Sequence, residues 1–212
     1  MNRNQKPSKL LLAFVKLTGI LPALLFFKPK IYYKNENCSR KLPKPCILMS
    51  NHKSLMDFVL YLMIFPWRTL RFLMAEVLFR KGKLFSWFLH RLGGIYVDRD
   101  AFSFEFVGQS LDVLDRGGCV GIFPQGRLPV GGKDFPFKPS VAYIGLRSDA
   151  PIIPVYTDGN YGLFKRAHVM IGEPIYLPQM AEKELTQEVY DRVTAELQKT
   201  VEDLGKELEK RL

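Results

Sequence analysis

Three cysteines, three histidines and two tryptophans are all that this chain of 212 residues carries of those types. Cys38, Cys46 and Cys119 are odd in number and lack metal-pair spacing. That argues against a disulfide framework or a zinc site, and for a reduced, cytoplasmic chain with packing cysteines. Neither a bound metal nor a cofactor is expected. The sequence has no internal repeat, no low-complexity linker and no Gly-x-Ser-x-Gly elbow, so a solenoid and an elbow-type serine hydrolase lack their signatures. Long apolar runs are also scarce. Leu10 to Phe27 is 18 residues, at the short edge of a bilayer span, with Lys16 inside it and Gly19 and Pro22 breaking it. Acids are absent from the first 35 residues: Glu36 is the first, whereas Arg3, Lys6, Lys9, Lys16, Lys28, Lys30 and Lys34 precede it.

What is present suits one sizeable folded domain, with 47% hydrophobic and 25% charged residues. The net charge of +10 favours polyanionic partners: nucleic acid, anionic lipid or phosphorylated substrates. Residues 1–34 narrow the choice, because their lysines flank Leu10–Val15 and Leu24–Phe27. Aliphatic and Phe side chains among cations suit an anionic membrane surface better than nucleic acid. The expectation is two short interfacial helices hinged near Thr18–Gly19. A cleaved signal peptide is disfavoured because the run ends in Phe26-Phe27-Lys28-Pro29 with no small-x-small site. A buried pair of helices remains the plain alternative.

Residues 35–180 read as a single α/β domain with a mostly parallel central sheet flanked by helices. Asn35–Pro45 is polar and proline-bounded, hence a loop. Strands are predicted at Cys46–Ser50, Leu70–Met74, Ile95–Val97, Cys119–Phe123, Ile152–Tyr156 and Val169–Gly172, and helices at Ser54–Phe65, Leu84–Leu92, Phe102–Asp115 and Ser140–Ser148. Residues 181–212 differ. Leu185, Val189, Val193, Leu197, Val201, Leu204, Leu208 and Leu212 form one stripe of an amphipathic C-terminal helix packed on the domain.

Four segments could carry chemistry. Asn51-His52-Lys53-Ser54-Leu55-Met56-Asp57 leaves a buried strand and opens a helix. The Asp57 carboxylate can fold back on one imidazole nitrogen of His52, leaving the other to take a proton from a hydroxyl. Equally, His52 could cap the helix and Asp57 complement its dipole. Ser50 and Ser54 are near enough to raise a hydrolase, whereas His90 and His168 lack an acid at helical spacing and read as structural or surface residues. In Gly93-Gly94-Ile95-Tyr96-Val97-Asp98-Arg99, a turn and short strand end in a guanidinium suited to phosphate, or in a solvated charge cluster. Phe123-Pro124-Gln125-Gly126-Arg127 is either an oxyanion- or phosphate-holding turn or an ordinary one. Phe137-Lys138 precedes a helix, where the lysine would add to an anion site.

Together and in this order, the segments resemble the glycerolipid acyltransferase family that contains the 1-acylglycerol-3-phosphate acyltransferases. Asn51, His52 and Asp57 match its Asn-His-x-x-x-x-Asp block, and Gly94 to Arg99 its glycine, β run and arginine. Phe123 to Arg127 match Phe-Pro-Glu-Gly-Thr-Arg, while Phe137-Lys138 and Ile153-Pro154-Val155 match two later blocks. The likeness covers roughly residues 45 to 175. It implies acyl transfer from acyl-CoA or acyl-carrier protein to lysophosphatidic acid, giving phosphatidic acid, on the cytoplasmic face of the cell membrane. His52 would be the base and Asp57 its orienter, with Arg99, Gln125, Gly126, Arg127 and Lys138 around the acceptor's phosphate. Backbone N–H groups near the helix start would supply the oxyanion donors. The chain departs from the family's third block at Gln125, where glutamate is usual, and in carrying Arg127 and Leu128 where threonine and arginine are usual. Those departures bear on the acceptor's identity rather than on the reaction type. A catalytically silent lipid-binding protein on the same fold is the rival from another class.

Overall fold

The computed structural model describes residues 7–98, 105–177 and 185–212. Seven strands make one sheet: β1 (Lys30–Tyr33), β2 (Cys46–Ser50), β3 (Leu70–Ala75), β4 (Ile95–Val97), β5 (Cys119–Ile122), β6 (Ile152–Thr157) and β7 (His168–Ile171). Their order across the sheet is β1-β7-β6-β2-β5-β3-β4. Only the β6–β7 pair is antiparallel; every other pair is parallel. The α/β architecture read from the alternating runs is thus the one observed.

The central strand β2 is buried at all five positions. Its side chains alternate between two cores, as a strand's two-residue period requires. Cys46 and Leu48 join a cluster with Phe65, Phe72 and Val155, while Ile47 and Met49 join Ile122, Val141, Val193 and Leu197 on the other face. The first face is covered by α1 (Lys9–Phe27), α2 (Asp57–Ile64), α3 (Glu76–Phe79) and α4 (Lys83–Leu92). The second is covered by α5 (Glu105–Asp115), α6 (Ser140–Gly145) and α7 (Gln187–Glu209). On α7 the stripe from Val189 to Leu208 is buried as expected, but Leu212 lies beyond the helix and is exposed. All three cysteines are buried and free.

Three expectations are corrected. Residues 30–33, assigned to the interfacial segment, form the edge strand β1 beside β7, so the α/β body begins before residue 35. The helix expected from Ser54 starts at Asp57, because residues 51–56 make the loop that presents His52. His168 has an acidic partner after all: the antiparallel turn brings Asp158 Oδ2 to 2.7 Å from its Nδ1.

Helix α1 bends by 54° between its Lys9–Gly19 and Leu21–Phe27 parts, and among the described residues no single helix is long and apolar enough to cross a membrane. Lys16 explains how a cation fits this apolar helix. Its ammonium donates to Pro66 O at 2.7 Å and Arg68 O at 2.8 Å, which offsets a desolvation that lowers its pKa. Leu10, Phe14, Leu17 and Leu21 are exposed on the other side.

Gly121 of β5 lies opposite Phe72 of β3, and a Cβ there would come within 2.4 Å of the Phe72 ring. Phe72 in turn stacks on Phe123. Gly121→Val should therefore destabilise the protein by about 1–3 kcal/mol through overpacking, read as a lower midpoint in chemical denaturation. A midpoint equal to wild type would show that the sheet absorbs the methyls without displacing Phe72.

Candidate active site

The loops leaving β2, β5 and β6 meet at the carboxyl edge of the parallel strands, where open α/β sheets gather their sites. Asn51 fixes the first of them to the third. Its side chain donates to Thr157 O at 2.8 Å and accepts from Thr157 N at 2.9 Å, so the end of β2 is latched to the end of β6. His52 follows directly, and its Nδ1 lies 2.8 Å from Asp57 Oδ2. An ionised carboxylate only accepts, so Nδ1 carries the proton and Nε2 keeps the lone pair.

Asp57 is wholly buried at the first position of α2. Its Oδ2 also accepts from Lys53 N at 2.7 Å and Ser54 N at 2.9 Å, and its Oδ1 from Tyr161 Oη at 2.6 Å. These donors make up for the hydration lost on burial. They also correct the proposed oxyanion donors: the N–H groups of residues 53 and 54 are spent on Asp57. The His52 ring is stacked on Phe123, with centroids 4.2 Å apart and planes 12° apart. One nitrogen is thereby held by a carboxylate and one ring face by an aromatic.

Ser54 Oγ accepts the Met56 N–H at 3.1 Å, and Ser50 Oγ bonds Asn51 and Tyr61. No serine–histidine pair is found among the described residues, which leaves the hydrolase reading without its nucleophile. Nor does any group of three or more His, Cys, Asp or Glu side chains there form a plausible metal site.

His52 lines a cleft of about 390 Å³ together with Gly126, Arg127 and Leu128. The rest of its wall is mainly apolar, including Phe58, Phe85 and Phe88. A second apolar cavity, of about 180 Å³, lies between α1 and α2 and shares Phe58 and Phe88 with the cleft.

The turn after β5 presents its groups differently from the expectation. Gly126 adopts a φ of +66°, and its N–H donates to Phe123 O at 2.9 Å, so that group closes the turn and is not offered to an anion. The Lys138 side chain lies beside the turn: a Cβ at 126 would be in ordinary contact with it, 3.6 Å from both Cδ and Cε. Lys138 is anchored there by its own N–H to Pro124 O at 2.9 Å. Arg127 is exposed, with its guanidinium 4.7 Å over the Phe135 ring. Gln125, expected beside a phosphate, is 4% exposed and forms no part of the cleft wall; its Oε1 is buried without a partner among the described residues. The turn folds Pro124 and Gln125 inward, while Gly126 is partly and Arg127 largely open to solvent. Arg99 lies outside the described residues.

Sequence reading missed Tyr161 and the Asn51–Thr157 latch. Each spans more than a hundred positions along the chain, and no local pattern signals it. Lys53, whose Nζ reaches Asp134 Oδ2 at 2.7 Å, was also unassigned.

Comparisons with known proteins bear on the family and the fold. Residues 30–158 match the family model described as Acyltransferase. The chain is 28% identical over 116 residues to the human 1-acyl-sn-glycerol-3-phosphate acyltransferase beta, covering 53% of this chain. It is 22% identical over 144 residues to the chloroplastic 1-acyl-sn-glycerol-3-phosphate acyltransferase BAT2 of Brassica napus, covering 62% of this chain. In each case the match spans 41% of the relative's length. The crystal structure of the 1-acyl-sn-glycerophosphate acyltransferase PlsC from Thermotoga maritima superposes with a TM-score of 0.63 at 23% identity, over 92% of this chain and 79% of that one, a likeness of fold. With the family model spanning well over half of the sequence and containing the His52–Asp57 pair, the chain belongs to the acyltransferase family.

Proposed function

We propose that this protein transfers a fatty acyl group from a thioester, acyl-CoA or acyl-carrier protein, to the free hydroxyl of 1-acylglycerol-3-phosphate. One observation carries the reading: a carboxylate-held imidazole opens on a mainly apolar cleft that has a guanidinium at its rim. An alcohol is far too weak an acid to ionise at neutral pH, so its proton must leave as the new bond forms. His52 Nε2 takes that proton while the alcohol oxygen attacks the thioester carbonyl carbon. The resulting tetrahedral oxyanion collapses, the carbon–sulfur bond breaks, and the imidazolium returns the proton to the departing thiolate. A positioned base of this kind contributes about 10² to 10⁴ in rate. Arg127 at the cleft rim and Lys138 beside Gly126 are the cations we assign to the acceptor's phosphate, and the apolar walls suit an acyl chain. No bound cofactor enters these steps.

The reaction's lipid substrate requires a membrane surface, and the exposed apolar side of α1, with Lys9 at its start and Lys28 at its end, suits a peripheral seat on anionic lipid. We assign that seat to the cytoplasmic face because the thioester donors named above are cytoplasmic.

Purified protein supplied with each thioester and a panel of lysolipids should form phosphatidic acid from lysophosphatidic acid. His52→Ala should lower turnover by at least about a hundredfold, and Asp57→Asn should lower it strongly too. Product formed at an undiminished rate by His52→Ala would remove the base assignment. Because β1 belongs to the sheet, the membrane seat is tested without deleting residues 1–34. Phe14→Ser/Leu17→Ser/Leu21→Ser changes only exposed positions and should abolish sedimentation with anionic vesicles, which should also weaken in wild type as salt rises. A triple variant that still sediments would put the seat elsewhere.

A further inference from the structure

The connection between β6 and β7 exposes groups that neither the sheet nor the acyl-transfer steps use. Phe164 is fully exposed, Leu163 is largely so, and the exposed Lys165 and Arg166 follow. The tip is held in place. Gly162 N donates to Phe26 O at 3.1 Å, Ala167 N donates to Phe27 O at 2.8 Å, and the Lys28 ammonium donates to Leu163 O. It is therefore fixed beside the end of α1, where Leu24 and Leu25 are exposed as well. Two large apolar side chains presented to water and ringed by three cations form a surface complementary to acyl chains lying under anionic headgroups.

We propose that Leu163 and Phe164 insert into an anionic bilayer next to α1, with Lys28, Lys165 and Arg166 on the lipid phosphates. This second point of contact rests on the membrane seat proposed for α1 and fixes the protein's orientation on the surface, which one helix alone leaves free to roll. Phe164→Cys labelled with an environment-sensitive fluorophore tests it, since the native thiols are buried. On vesicles of phosphatidylcholine and phosphatidylglycerol, its emission should shift to the blue. Leu163→Ser/Phe164→Ser should lower the vesicle partition coefficient about tenfold. A labelled protein that sediments with vesicles while its probe keeps the aqueous emission overturns the proposal and leaves the α1 seat standing. A protein that does not sediment at all overturns both.

A hydrogen bond at the inner end of the same connection carries a second inference independently. Tyr161 Oη, 2.6 Å from Asp57 Oδ1, is the only donor to that oxygen among the described residues; it is also 3.1 Å from Thr157 Oγ1. The phenol ring meets Phe27 edge-on, with centroids 5.0 Å apart. Burial first, and then the Asp57 charge, push the phenol's pKa above its ordinary value, so the hydroxyl stays a donor. We infer that Tyr161 is a positioning residue: it fixes the carboxylate plane so that Oδ2 faces His52 Nδ1.

This inference also rests on the acyl-transfer reading. Tyr161→Phe keeps the ring and removes the hydroxyl. Turnover should fall about tenfold with KM for the thioester within about twofold, as expected for losing a hydrogen bond to a charged group. The acid limb of the rate–pH profile should move to higher pH, because a carboxylate with one donor fewer holds the imidazolium more tightly. The other groups facing Asp57 are His52, Tyr61 and the N–H groups of residues 53 and 54. An unchanged acid limb, even with lower turnover, would reduce Tyr161 to a packing residue. Activity absent from wild type as well as from Tyr161→Phe would instead sink the acyl-transfer reading.

Discussion

A carboxylate with no exposed surface would be intolerable at the start of α2 without the four donors that surround it. Asp57 takes two backbone N–H groups, an imidazole and a phenol, and those four bonds organise the site. The backbone pair folds residues 53–56 into a tight loop and gives the N–H groups of residues 53 and 54 an acceptor. The imidazole bond selects the tautomer. The phenol bond ties the loop to a segment more than a hundred residues away. The five-residue spacing of His52 and Asp57 follows from this geometry, since one loop must both begin the helix and return the ring to its carboxylate.

Much of this was legible in the sequence where the causes are local. Strands buried on both faces show as short apolar runs, and β2, β5 and β6 were found that way. The His52–Asp57 pair was found because its partners share one loop. Strand β1 was hidden because it is only half buried and continues the basic, apolar character of α1. His168–Asp158 and Tyr161–Asp57 were hidden for a different reason: they depend on β7 reversing direction beside β6, and helical spacing cannot express that. At the turn after β5 the outcome is divided: Arg127 lines the cleft, whereas Gly126 gives up its N–H to the turn and Gln125 is buried away from the cleft.

Helix α1 shows how one element can serve two environments. Its inner side packs Leu12 and Phe27 and ties down Lys16, whereas its outer side leaves a stripe of leucine and phenylalanine uncovered. The ammonium of Lys16 is matched by two carbonyls that the turn before β3 leaves without strand partners. A charge that looks like a defect in an apolar run is thus what binds that run to the body.

Phe58 and Phe88 line both the cleft beside His52 and the smaller cavity under α1. These two side chains border both spaces, so the partition between them can change by point substitution while the sheet stays untouched. Smaller residues at 58 and 88 would enlarge both hollows at once, so the shape of the space beside His52 can drift under point substitution while the fold stays fixed.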